Sequence, residues 1–157
     1  MFDESMVTFL HSGCALLVGT ADAIQRPHAS RAWGLTVVGA DPVRVRLLVD
    51  DADDTTLANL QPDAQVAITA ASVLTLRSVQ MKGRVVLTEA ADESDEAKRV
   101  QYTTDFANDI HTTDGDPLAA ILPWANRSVV ACLVEVDAAF DQTPGPSAGA
   151  PMLDASQ

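Results

Sequence analysis

Apolar and polar residues alternate with period two through much of the chain, the pattern of strands with one face in a core. The run at 77–88 is the longest. Val79, Met81, Val85 and Leu87 share one face, and Ser78, Gln80, Lys82 and Arg84 share the other. Gly83 interrupts the apolar row, which predicts a bulge, a bend, or close approach by another backbone or ligand. Two cations on the polar face make this strand a candidate floor for an anionic ligand, or simply a solvated face.

The other elements follow from the same reasoning. Phe2, Met6, Phe9 and Leu10 recur at helical spacing, with Asp3 and Glu4 in the first turn and Gly13 available to close it, so 3–12 reads as a helix. Residues 14–20 read as a buried strand and 21–27 as a turn. The strand at 28–38 puts Ala29, Arg31, Trp33, Leu35 and Val37 on one face, and Val43, Val45, Leu47 and Val49 mark a third strand. Asp53 or Asp54 is positioned to cap a short helix that stops at Pro62. A fourth strand covers 65–70, and 77–88 is the fifth. A longer helix at 92–111 has Ala97, Val100, Phe106 and Ile110 as a loose apolar stripe. A helical turn from Asp116 ends before Pro123, and a last strand covers 128–138.

The barrel domain is thus expected at 1–140. The tail at 141–157, rich in Pro, Gly and Ser, shows no periodicity and reads as extended or disordered. Six strands with short turns, two of them interrupted by helices, predict a mainly β (α+β) chain forming a small barrel with flanking helices. A parallel doubly wound sheet is disfavoured, because the first three strands are joined by turns too short for helical crossovers.

Charge narrows the partners. The net charge of −12 argues against nucleic acid and anionic membranes. Residues 26–84 nevertheless carry seven cations against six acids, whereas 85–157 carry three against thirteen, so the middle of the chain is the part suited to a small anion. No apolar run approaches the roughly 20 residues of a membrane span. The acidic N-terminus lacks the basic region of a secretory signal, and Cys14 and Cys132 sit in apolar runs as free thiols, so a cytoplasmic protein is expected.

The chemical inventory is short. His11, His28 and His111 are widely spaced and no Cys-x-x-Cys occurs, so no metal site is expected. Ser30 and Ser78 lie in strands without a glycine-flanked elbow. Trp33 and Trp124 are suited either to core packing or to stacking on a ring, and the apolar strand around Trp33 favours the core. No catalytic residue is nominated.

The order of motifs is more informative. Pro27-x-x-Ser30-Arg31-Ala32-Trp33-Gly34 precedes a Val/Leu strand and a helix ending Asn59-Leu60-Gln61-Pro62. Val66-Ala67-Ile68 and Arg77-Ser78-Val79-Gln80-Met81-Lys82-Gly83-Arg84-Val85 follow. Together, over about residues 9–140, these resemble the FMN-binding split-barrel superfamily, in its pyridoxamine 5′-phosphate oxidase-like branch. The resemblance implies a six-stranded Greek-key split barrel that forms a homodimer with two flavin sites along the interface. It implies cofactor contacts from Arg31, Ala32, Trp33, Gly34 and Thr36, from Arg46 and Leu47, and from Arg77, Ser78 and Lys82.

The departures are equally specific. The phosphate site that the resemblance implies commonly has a basic pair just before the helix after the third strand, matched here by Ala52 and Asp53; a lysine often found at the end of the second strand is matched by Thr36, and a common glutamine by Ser78. Three readings stay open. The first is an FMN-dependent oxidoreductase acting on a small molecule, in which the ring does the redox chemistry. The second is a non-enzymatic binding protein holding a flavin, haem or other flat ligand, and the third is a cofactor-free relative.

Overall fold

The structure is a computed structural model that describes residues 2–154, apart from the side chains of Trp124, Ala125 and Asp154. The chain begins with helix α1 (Glu4–Leu10), capped by the Asp3 carboxylate, which accepts from the Met6 N–H at 2.8 Å. Strands β1 (Ala15–Ala21), β2 (Pro27–Ala40) and β3 (Val43–Asp50) then run as an antiparallel meander. Helix α2 (Asp54–Asn59) carries the chain back so that β4 (Gln65–Ala71) lies beside β1, which is the Greek-key return. Strands β5 (Ser78–Ala90) and β6 (Val129–Asp141) complete the sheet, and β6 pairs with β3 from Val129 to Glu135 to close a six-stranded antiparallel barrel. The six-stranded split barrel with flanking helices expected from the sequence is therefore the fold.

Between β5 and β6 the chain makes helix α3 (Glu93–Asp114), then α4 (Leu118–Ile121) and a 3-10 turn (Leu122–Asn126) that runs through Pro123 rather than ending before it. The tail turns back after Asp141, and a seventh strand, β7 (Pro151–Asp154), pairs with β6 beyond the segment that meets β3.

The core is the inner row of each strand: Leu16, Val18, Leu35, Val45, Leu47, Val49, Ile68, Val79, Met81 and Val134 are all buried. Gly83 sits at a shift in the β5–β6 register, and a Cβ built there would lie 2.1 Å from the Glu135 carbonyl oxygen. The interruption in the apolar row is thus a bulge with close backbone approach. A second shift follows between Val85 and Leu87, and Leu87 leaves the core face, being 36% exposed.

Two further expectations are corrected. Alternation fails along β2, where Ala32, Trp33, Gly34 and Leu35 are buried in succession. The β2–β3 register shifts between Ala32 and Leu35, and α3 packs on β2, so both faces are covered there. On α3 the buried residues are Asp95, Tyr102, Thr103, Phe106 and Ala107, while Ala97 and Val100 are exposed. Pattern reading rotated the first half of that helix because its buried face includes a carboxylate.

Candidate functional site

The ten residues singled out by resemblance fall into three neighbourhoods. The first lies beneath α3. Arg46 on β3 reaches the first turn of that helix, donating from Nε to Asp95 Oδ1 at 2.7 Å, from Nη2 to Asp95 Oδ2 at 2.6 Å, and from Nη1 to Glu89 Oε1 at 2.6 Å. Asp95 is held further by a reciprocal cap with Asp92, in which each side chain accepts from the other's backbone N–H. The Arg46 guanidinium holds the Asp95 carboxyl below the usual carboxylate range, with burial opposing. Arg31 lies between aromatic rings, its guanidinium carbon 5.2 Å from the Trp33 centroid and 4.5 Å from that of Phe106. Arg127 approaches Trp33 as well, at 4.8 Å, and pairs with Asp50. Ala32, Gly34 and Leu47 are buried, and Thr36 is the cross-strand partner of Arg46. Trp33 is thus mostly enclosed, at 4% exposure, whereas the Trp124 side chain lies outside the described residues.

The second neighbourhood is the outer face of β1, β4 and β5. One row across the sheet reads Ala29, Gly19, Ala67, Lys82, Ala138, and the next reads Arg31, Leu17, Thr69, Gln80, Phe140. Small residues leave the first row low, and a groove of about 370 Å³ runs over Gly19, Gln65, Ala67, Lys82 and Asp137. Lys82 is exposed and places Nζ 5.3 Å from the Phe140 ring. Leu17, half exposed in the middle of the face, has Arg31 on one side and Thr69 on the other. Ser78 shares the outward side of β5, and its N–H donates to Thr143 Oγ1 at 3.0 Å.

Arg77 forms the third neighbourhood alone. It precedes β5 and turns toward α1, with its guanidinium 4.6 Å from the Phe9 ring centroid. The structure therefore brings Ser78 and Lys82 onto one face, with Arg31 at its margin. It separates them from Arg46 and from Arg77.

Asp53, one of the two cap candidates read from the sequence, is the N-cap of α2. Its Oδ1 accepts from the Thr56 N–H at 3.0 Å and its Oδ2 from Thr56 Oγ1 at 2.6 Å, while His28 Nε2 stands 3.4 Å from Oδ1. Ser30 Oγ lies 2.8 Å from the same Thr56 hydroxyl. Burial raises the Asp53 pKa, but the Thr56 and His28 hydrogen bonds outweigh it and leave the carboxyl below its usual range. Among the described residues, no three His, Cys, Asp or Glu side chains converge as a metal site. Cys14 and Cys132 are free and buried, and burial pushes both thiols up to about 11.

No family model matches the sequence, and no curated protein does. Solved structures do match the fold. HupZ of Group A Streptococcus superposes with a TM-score of 0.55 at 15% identity, over 95% of this chain and 100% of that one. A putative pyridoxamine 5′-phosphate oxidase from Lactobacillus delbrueckii gives 0.53 at 14% identity, over 88% and 93%. An F420 reductase gives 0.51 at 15%, over 88% and 98%. The chain has the split-barrel fold.

At these identities the likeness extends to the split barrel's architecture and no further. The FMN phosphate, placed at the start of α2 as the resemblance implies, does not fit the residues present. The Asp53 carboxylate takes the Thr56 N–H that a bound anion would use, and it brings a negative charge of its own. Arg46, the nearest cation on β3 by sequence, is bound to two carboxylates.

Proposed function

We propose that this chain is a homodimeric split-barrel binding protein that holds a flat ring, with a flavin ring as the first candidate, and does not read a phosphate at α2. The observation carrying this reading is the self-capped Asp53, which puts a carboxylate where the family's resemblance puts a cation. The low row Ala29, Gly19 and Ala67 supplies an uncharged floor on which a ring can lie, and Lys82 and Gln65 supply polar edges. Exposed Leu17 on the same face supports a second copy of the chain as the cover, because an apolar side chain in mid-sheet gains by burial. An FMN-dependent oxidoreductase is the second reading. It is favoured by Lys82, which makes no ion pair among the described residues and lies along the groove where an anionic group could be met.

Light scattering and riboflavin binding test this reading together. The expected result is twice the chain mass and saturable riboflavin binding. Gly19→Leu, which fills the groove without touching Asp53, should weaken that binding at least tenfold. A monomer at micromolar concentration, or unchanged affinity in Gly19→Leu, would overturn the reading.

A further inference from the structure

We infer that Arg77 is the centre of a second binding site, between α1 and the β4–β5 turn, that takes the carboxylate of a small organic acid. The site is independent of the ring groove, since Arg77 turns toward α1 and Ser78 lies on the outward side of β5. An open depression of about 860 Å³ lies there, and Ser5, Thr8, Ser12, Ser72 and Thr75 line it together with Arg77.

The cation is available and it is oriented. Arg77 makes no ion pair among the described residues, in a chain whose net charge is −12. Its neighbours are the face of Phe9, the Ser5 hydroxyl at 3.4 and 3.5 Å, and, without direct contact, the Asp141 carboxyl, whose pKa it helps to lower. A guanidinium resting on an aromatic face keeps its N–H groups in plane and pointing away from the ring. Nη1 and Nη2 both point at Ser5 Oγ, so the edge made by Nε and its neighbouring Nη is the fork that matches a carboxylate in two parallel hydrogen bonds.

Three of the hydroxyls around it have protons to offer, whereas Ser12 Oγ donates to the Phe9 carbonyl at 2.7 Å. Thr75 Oγ1 accepts from the Arg77 N–H at 3.3 Å, Ser72 Oγ accepts from the Thr75 N–H at 3.1 Å, and Ser5 Oγ accepts from the guanidinium. Each oxygen thus has a lone pair engaged by the protein, while its own O–H stays free to donate. A lining rich in donors calls for a ligand made of acceptors. Glu4, also on the wall, sets the charge limit. With Asp141 coupled to Arg77 and a chain charge of −12, the surrounding field repels anions overall, so a phosphate dianion meets twice that long-range repulsion for the same two hydrogen bonds from the fork. The turn is braced for this role: Ser72 N–H donates to the Arg77 carbonyl at 2.8 Å, and Leu76 N–H to the Ser72 carbonyl at 3.0 Å.

The probe is butyrate, followed by NMR through the Arg77 Nε–H resonance and the amides of Thr75 to Ser78 in the full chain. Butyrate should shift them saturably with a half-point of about 1 mM, equivalent to roughly 4 kcal/mol. Inorganic phosphate should bind at least tenfold more weakly. Arg77→Lys, which keeps the charge and loses the fork, should weaken butyrate about tenfold. Lys82→Gln should leave it unchanged. The wild-type Nε–H signal decides the matter even if a variant fails to fold. A linear, non-saturating response up to about 50 mM, equal binding by Arg77→Lys, or phosphate as tight as butyrate would each overturn the assignment.

Discussion

Arg46 and Asp95 face each other with two parallel hydrogen bonds, at 2.7 and 2.6 Å, and tie the wall of the barrel to the first turn of the helix that covers it. The Asp95 side chain is only 8% exposed, and that of Arg46 19%. An ion pair this enclosed contributes little relative to an apolar pair of the same shape, yet breaking one side strands a charge.

Arg46→Ala is therefore expected to lower unfolding stability by about 3 kcal/mol, and Asp95→Ala by a similar amount. The double variant should cost less than the sum. Urea denaturation of the four proteins measures this. Riboflavin affinity should not change in the folded fraction, because neither residue lines the groove.

Acid should loosen the molecule in two stages. His11 Nε2 accepts a hydrogen bond from the Val37 N–H at 2.8 Å, and a protonated ring cannot accept it. Burial and then the neighbouring Lys98 ammonium, which bonds the His11 carbonyl, hold the His11 pKa below 6.5. A histidine depressed in the folded state stabilises fully above its unfolded pKa. That stability is lost as pH falls from about 6.5 through the folded value. Asp53 and Asp95 are depressed carboxyls, so their contribution is lost only below about 3.8. Urea midpoints between pH 7 and pH 5 should fall in the wild type, and the His11→Gln variant should show a smaller slope there.

Gly83→Ala should be among the most damaging single-methyl additions. The new Cβ would need the space of the Glu135 carbonyl oxygen, 2.1 Å away, so strands β5 and β6 would have to separate locally. A loss of about 3 kcal/mol or more is expected, at the upper end of overpacking effects, and thermal unfolding would show it. Gly19→Ala, whose Cβ would find Ala67 at an ordinary 3.7 Å, should cost far less.

The residues that could be read correctly from the chain were those whose role is local. The alternating row Val79, Met81, Val85 needs only its own periodicity, Gly83 announces its bulge, and Asp53 is a good cap wherever it stands. The fate of Arg31 and Arg46 was not local. Sequence shows that they are cations on strands, but not that α3 folds over them and offers Phe106 and Asp95. The motif Asp92-x-x-Asp95 was not singled out, although the reciprocal cap it forms was the signal available there, and a buried carboxylate one turn into a helix calls for a cation. Strand β7 left no pattern to read, because it is only four residues long and its pairing with β6 is made by the backbone rather than by an alternating side-chain row.

The measurement that bears most directly on the central claim compares FMN with riboflavin in titrations of the wild type, Asp53→Asn and Asp53→Lys. Two unit charges about 6 Å apart interact by roughly 3 kcal/mol at an effective dielectric of 20, equivalent to more than a hundredfold in affinity. Asparagine keeps the helix cap while removing the charge. The wild type should bind riboflavin at least as tightly as FMN, Asp53→Asn should tighten FMN tenfold or more, and Asp53→Lys should tighten it further, with riboflavin nearly constant throughout. A wild-type protein that binds FMN at least tenfold more tightly than riboflavin would show that it reads the phosphate after all.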